Sequence, residues 1–179
     1  LGEASVNERE ADAYRDRCLA ALRILGDVCS AWSPSPLLER DHLGPLPRVQ
    51  LSIKISALYS QLDPIDPESS YRAVAARLRP LLNVAGTLPA AIIFDMEQAE
   101  TKDLILSIFM RLFEEEPYRT FPHAGIALQA YRMDTYDDVQ RLLAWTTRRQ
   151  VPITIRLVKG AYWDSDAIRY RQRGWPMPL

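Results

Sequence analysis

Residues 153–163 read Ile153-Thr154-Ile155-Arg156-Leu157-Val158-Lys159-Gly160-Ala161-Tyr162-Trp163. Ile153, Ile155 and Leu157 alternate with Thr154, Arg156 and Val158, the two-residue period of a pleated strand. Gly160 then breaks the strand, because a residue without a Cβ permits a tight turn or a close approach to the backbone. An arginine, a lysine, a glycine and two aromatic rings are thereby gathered at one strand end. Cations suit phosphate, rings suit stacking and a bare backbone suits contact, so the mixture fits a flat anionic molecule. An edge strand with a solvated Arg156 and Lys159 ahead of an ordinary turn accounts for the same residues equally well. The rest of the chain decides between the two.

The same kind of segment recurs upstream. Val49, Leu51, Ile53 and Ile55 alternate with Gln50, Ser52, Lys54 and Ser56, predicting a strand over 49–56. Ala90 to Phe94 is a continuous apolar run, as in a buried parallel strand, and predicts a strand over 90–95 with Asp95-Met96-Glu97 at its end. A third strand is expected over 125–131, and the stretch quoted above supplies a fourth over 153–158. Amphipathic helices lie between them. The first starts near Asn7, where Asn7 and Glu10 form a capping-box pattern, carries Ala11, Tyr14, Cys18, Leu22 and Leu25 on one face, and is expected to stop at Gly26. Residues 27–47, with their Ser-Pro-Ser-Pro and Gly-Pro-Leu-Pro runs, read as a loop with room for a short helical turn. Asp66-Pro67 opens a helix bearing Tyr71, Val74, Leu78, Leu81 and Leu82, and Pro80 is expected to kink it or end it early. Leu104, Ile105, Ile108, Phe109, Leu112 and Phe113 stripe the next helix. Thr135 with Asp138 is expected to cap the one that carries Tyr136, Val139, Leu142 and Leu143.

Strands alternating with helices in this way mean a parallel sheet with right-handed crossovers. A doubly wound sheet and a barrel both satisfy that order. Polar residues alternating with apolar ones in three of the strands favour the barrel, where one face packs on helices and the other lines a closed interior. The expected fold class is therefore α/β, a (βα)8 TIM-like barrel present in part, with four complete parallel strands and a single partial domain over residues 1–179.

Composition narrows the function. Hydrophobic residues make up 47% and charged residues 25%, an ordinary globular balance, and a formal net charge of −1 offers no electrostatic case for nucleic acid or an anionic membrane. Cys18 and Cys29 have no metal-type spacing, and His42 and His123 are too isolated to form a metal pair. There is no GxGxxG, no Walker loop and no Ser/His/Asp arrangement. What does stand out is one hydrogen-bonding side chain near the end of each strand: Lys54, Asp95, Gln129 and Arg156. In a barrel those ends converge on one face, where catalytic groups sit. Singly, each has an ordinary explanation, such as a helix cap for Asp95 or a snorkelling stem for Lys54. Four in step on consecutive strands are hard to obtain from solubility alone. Two cations, a carboxylate and an amide beside Tyr131, Tyr162 and Trp163 include no strong nucleophile, which favours a cofactor carrying the chemistry.

At these residues the sequence resembles a known family. Arg156-Leu157-Val158-Lys159-Gly160-Ala161-Tyr162-Trp163-Asp164 is similar to the signature of the proline dehydrogenases. Leu1-Gly2-Glu3 resembles the end of that family's first barrel strand, and Ser52-Ile53-Lys54-Ile55-Ser56 its lysine-bearing second. Asp95-Met96-Glu97 and Leu128-Gln129-Ala130-Tyr131 resemble the third and fourth. Trp163-Asp164 and Arg173-Gly174-Trp175-Pro176 are more similar to the bifunctional proline-utilization flavoenzymes than to the short monofunctional ones. The resemblance implies a (βα)8 barrel that binds FAD and oxidises L-proline to 1-pyrroline-5-carboxylate, with electrons passing to a quinone. It implies that Lys54 faces the proline carboxylate, that Asp95 belongs to the substrate pocket, and that Ala161 and Tyr162 form its wall. It further implies FAD contacts from Gln129, Arg156, Val158, Lys159, Gly160 and Trp163, with Arg156 close to the flavin ring, and gives Lys54, Asp95 and Arg156 as the catalytic set.

Residue 1 is Leu, and the family's last three strands and its final helix with paired arginines are absent, so a piece of a longer chain is expected. A (βα)8 barrel takes about 250 residues, and four strands do not close. The expected partners are the remainder of the barrel and a fused aldehyde dehydrogenase domain. Residues 1–179 alone are expected to be inactive. The expected location is cytoplasmic with peripheral contact at the inner membrane. Another flavin-dependent barrel oxidoreductase, or a non-catalytic half-barrel assembly fragment, is the alternative.

Overall fold

The computed structural model describes residues 3–88 and 90–177. In chain order its elements are α1 (Glu8–Ser30), a small hairpin of β1 (Arg40–Asp41) and β2 (Gly44–Pro45), β3 (Val49–Ile53), α2 (Pro67–Thr87), β4 (Ala90–Phe94), α3 (Lys102–Leu112), β5 (Ala124–Gln129), α4 (Thr135–Arg149), β6 (Thr154–Val158) and α5 (Trp163–Arg173). The four longer strands form one sheet in the order β3-β4-β5-β6, every neighbouring pair parallel. Each strand is followed by a helix that brings the chain back to start the next, which is the only short way to lay parallel strands side by side. Among the described residues nothing pairs with the outer edges of β3 and β6. The result is one wall of a barrel.

Register separates the two faces. Leu51 pairs with Ile92, Ile92 with Ala124, and Ile126 with Ile155. On that face Val49, Leu51, Ile53, Ile92, Phe94, Ala124, Ile126 and Leu128 are buried against Tyr14, Cys18 and Leu22 of α1, Val74, Leu78 and Leu81 of α2, and Ile105, Ile108 and Phe109 of α3. Phe94 meets Phe109 edge-on at 5.2 Å, and Phe109 lies 5.6 Å from the Trp145 ring of α4. On the opposite face Ser52 pairs with Ile93, Ile93 with Gly125, Gly125 with Thr154, and Ala127 with Arg156. A Cβ on Gly125 would lie 2.3 Å from the Ile93 side chain, so glycine lets that face close up around Ile93.

The helix starts follow the expected chemistry. Asn7 Oδ1 accepts from the Glu10 N–H at 3.0 Å, while Glu10 Oε2 accepts from the Val6 N–H at 3.1 Å. Asp66 accepts from the Ser69 N–H at 3.0 Å with Pro67 at the first helical position. Several boundaries differ from expectation. α1 continues through Gly26 to Ser30; a Cβ at Gly26 would lie 3.0 Å from Leu88, so the glycine serves helix packing and not termination. α2 runs through Pro80 to Thr87, its buried Leu78, Leu81, Leu82 and Ala85 offsetting the lost N–H. The loop expected over 27–47 instead begins as helix and contains the β1–β2 hairpin. β3 stops at Ile53, and Ile55–Ala57 forms a 3-10 turn that rotates the chain out of the pleat. β5 runs from Ala124 to Gln129 and not to Tyr131. Asp134, not Thr135, occupies the position before α4 and makes no side-chain cap. Leu25, Tyr136 and Leu143, expected on the apolar faces of their helices, are exposed, as is Leu157 on β6. Leu1 and Gly2, expected at the end of a first strand, lie outside the described residues.

Candidate active site

The strand ends put Lys54, Asp95, Gln129 and Arg156 on one face of the sheet. Lys54 follows β3 two residues after Ser52, Asp95 follows β4 two residues after Ile93, and Gln129 ends β5 two residues after Ala127. With a period of two, each shares the face of Ile93, Gly125 and Arg156. The face is concave. Arg156 on β6 forms an ion pair through Nη2 with Oδ1 of Asp95, and its Nη1 donates to Ser52 Oγ on β3 at 3.2 Å. In a flat sheet β3 and β6 would stand about 14 Å apart, too far for one side chain to span. Ala127, the register partner of Arg156, is the small residue over which the guanidinium crosses.

Beside this pair lies a cavity of about 300 Å³ whose lining includes Glu3, Ser5, Lys54, Ser56, Tyr59, Glu97, Thr101 and Tyr162. The structure thus brings Lys54 and Tyr162 into one cavity, while Asp95 and Arg156 pair outside its lining. Ala161 does not line it either. The Lys54 ammonium joins no ion pair among the described residues. Its backbone N–H donates to the Tyr14 hydroxyl at 3.3 Å. Burial drives the Tyr14 phenol well above its ordinary range, so it stays neutral.

Gln129 is buried. Its Nε2 donates to the Glu97 carbonyl at 2.8 Å, while its Oε1 has no partner. Past Val158 the ladder continues one step, the Ala130 N–H donating to the Val158 carbonyl at 2.7 Å. The chain then turns at Gly160, whose φ of +115° disfavours a side chain and whose absent Cβ leaves room for the Tyr131 ring. Trp163 stands edge-on to Tyr131 at 5.8 Å and is half exposed, and Lys159 is exposed.

Four contributors were not singled out from sequence: Ser52, Ser56, Tyr59 and Glu97. Ser52 shares the two-residue period of Lys54, so its face was readable though its partner was not, whereas Ser56 lies in the 3-10 turn that leaves the pleat. Glu97 is buried, and its carboxylate takes both the Ser56 N–H, at 3.1 Å, and the Ser56 hydroxyl. It fixes the turn after Lys54 to the end of β4.

The arrangement suits a flat anionic group on the sheet face with a small carboxylate in the cavity. An unpartnered buried amide oxygen, a guanidinium at the centre of the concave face and an aromatic ring on the loop offer hydrogen bonding, charge and stacking. A free ammonium in a small cavity offers a carboxylate contact. The residues present therefore fit a flavin and an amino acid.

Comparison with solved structures gives proline utilization A from Bdellovibrio bacteriovorus, a structure described as inactivated by N-propargylglycine, with a TM-score of 0.95 and 37% identity, covering 100% of this chain and 19% of that one. Proline utilization A from Corynebacterium freiburgense aligns with a TM-score of 0.78 and 28% identity. Among curated proteins, the bifunctional protein PutA of Klebsiella aerogenes is 28% identical over 174 residues, covering 97% of this chain and 12% of that protein. Proline dehydrogenase 1 of Bacillus subtilis (strain 168) is 26% identical over 170 residues, covering 45% of that protein. The chain spans about an eighth of the PutA relative's length and under half of the Bacillus protein's. Since the strand-end face, the Arg156–Gly160 turn and these likenesses all lie within a match to the proline dehydrogenase family that runs over residues 1–179, the chain belongs to that family.

Proposed function

We propose that this chain forms the first part of the barrel of a bifunctional proline-utilization enzyme and takes part in FAD-dependent oxidation of L-proline to 1-pyrroline-5-carboxylate. The observation that carries the reading is the convergence of Lys54, Asp95, Gln129 and Arg156 on one concave face. Gln129, Arg156, Val158, Lys159, Gly160 and Trp163 would hold the flavin, which when bound would supply the acceptor for the hydride that carries both electrons away from proline. Arg156 would place a fixed guanidinium beside that group, and such preorganised charge acts mainly on the transition state. Lys54 holds the substrate carboxylate by a charge-assisted hydrogen bond. Asp95 keeps the Arg156 guanidinium aimed across the sheet and borders the substrate. Tyr162 walls the cavity and limits water, with Ala161 beside it on the same loop. Electrons then pass to a quinone, which brings the cytoplasmic enzyme to the inner membrane as a peripheral protein, and a fused aldehyde dehydrogenase domain consumes the product. The shares of 12% and 19% covered in the PutA relatives support a longer polypeptide. Strands beyond β6 would close the wall and complete the carboxylate clamp.

The test compares the longer protein with residues 1–179, each supplied with excess FAD and a dye acceptor. The longer protein should reduce the dye with L-proline and not with other secondary amines, and the shorter chain should not. A preference for another amine would replace the substrate assignment. Turnover by residues 1–179 at the full rate would show that half the barrel suffices.

A further inference from the structure

The loop over 159–162 carries several of the residues assigned above to flavin and substrate, yet it hangs from the edge strand β6. Something other than the sheet must hold it. We propose that Tyr131 and Asp166 are a positioning pair that pins this loop, and hence the site that rests on the proposed function. Tyr131, just past β5, plants its ring under Gly160; a Cβ there would lie 2.1 Å from the ring. The same ring meets Trp163 edge-on at 5.8 Å. Its hydroxyl donates to Asp166 Oδ2 at 2.6 Å. Asp166 lies in the first turn of α5 and is 1% exposed, and its N–H donates to the Tyr162 carbonyl at 2.9 Å. One side chain therefore grips the loop at its start, at its end and at the helix that follows.

The anchor is itself held. Arg132 stands with Nη1 3.7 Å from Asp166 Oδ2 and grips Asp134 through Nε at 2.9 Å and Nη2 at 2.8 Å. Asp134 lies 3.2 Å from Lys102, which pairs with buried Asp138 at 2.7 Å. Alternating charges thus run from α5 to α3 and α4 beneath the strand ends. Within this chain the Tyr131 hydroxyl supplies the only side-chain hydrogen bond to Asp166 among the described residues, since Arg132 Nη1 and Asp166 Oδ1 have no partners. Arg169 also pairs with Glu100, but on the surface, where ion pairs contribute little.

The experiment is amide hydrogen exchange on the full-length protein, with and without FAD, for Tyr131→Phe, Asp166→Ala and Asp166→Asn. Loss of one buried hydrogen bond should speed exchange over 159–165 about fivefold in Tyr131→Phe and Asp166→Ala. Exchange in α2 should stay as in the wild type. Asp166→Asn keeps an acceptor for the Tyr131 hydroxyl and should restore most of the protection. In the loaded enzyme the first two variants should slow flavin reduction at saturating proline by about 10- to 100-fold. If Asp166→Ala fails to fold, Tyr131→Phe alone decides. Unchanged exchange over 159–165 in Tyr131→Phe, or exchange raised equally in α2, overturns the pair as a positioning device. A wild-type protein that ignores proline would overturn the proposed function instead, and the exchange comparison would still stand.

Discussion

Arg156 and Asp95 sit on strands that are not neighbours, yet their side chains form an ion pair across the intervening Ala127. The same guanidinium reaches Ser52, so one residue of the last strand ties down the first two. Arginine's planar fork can serve two acceptors in fixed directions, which a lysine ammonium cannot. Arg156→Ala in the full-length protein should therefore lower the fraction of protein purified with flavin, and Arg156→Lys should recover only part of it. The absorbance ratio of flavin to protein measures this. Full flavin content in Arg156→Ala would remove the residue from the cofactor site.

Lys54 faces the cavity with no ion partner of its own within the described residues. Lys54→Ala should raise the proline concentration for half-maximal rate by about 10- to 150-fold, the worth of a hydrogen bond to a charged group at about 1.5–3 kcal/mol. Flavin content should stay near normal. Steady-state kinetics with varied proline would check it, and an unchanged KM would assign the carboxylate to other residues.

Gly160 carries two constraints at once, a φ of +115° and the Tyr131 ring against its Cα. Gly160→Ala should destabilise by about 1–3 kcal/mol from backbone strain alone, with a further loss from displacing the ring. Adding Tyr131→Ala should relieve only the second part, so the double variant should cost less than the sum of the single ones. Thermal unfolding of the four proteins tests this. Strict additivity would mean the ring and the loop are independent.

Glu115 holds α2 to the end of α3. Its carboxylate takes Arg79 Nε at 3.0 Å and Nη2 at 2.7 Å, together with the Tyr71 hydroxyl. Arg79 keeps the carboxyl below its ordinary value of 4.5, and burial followed by Glu115 pushes the Tyr71 hydroxyl up to about 12. A depressed carboxyl stabilises above the unfolded value and loses that contribution as pH falls through the folded one. A raised tyrosine stabilises fully below 10, its ordinary value, and loses its contribution as pH rises toward about 12. The gap in urea midpoint between wild type and Glu115→Gln should be widest near neutrality and shrink below pH 4.5. A gap independent of pH would show that the ion pair contributes nothing.

Much of this architecture was legible in the chain. Val49–Ile53 shows its period of two because one face meets helices and the other does not, and Ala90–Phe94 is apolar throughout because both its faces are covered. The shared face of Lys54, Asp95, Gln129 and Arg156 followed from the same alternation. What escaped depended on partners far away in sequence. Thr135 and Asp138 read as a helix cap, but Thr135 Oγ1 donates to the Gln129 carbonyl at 2.5 Å and Asp138 pairs with Lys102, 36 residues back. Gly26 read as a stop because nothing local reveals that Leu88 packs against it. The contact between Arg156 and Ser52 spans 104 residues and requires the curvature of the whole sheet.

The most direct test of the central claim is anaerobic stopped-flow mixing of the flavin-loaded full-length protein with L-proline, beside its Arg156→Ala variant reconstituted with FAD. Proline should bleach the visible flavin absorbance of the wild type in a single turnover. The variant should bleach at least about 100-fold more slowly at saturating proline, the loss expected on removing one preorganised charge from the transition state. Equal rates in the two proteins, or no bleaching of the wild type by proline, would contradict that claim.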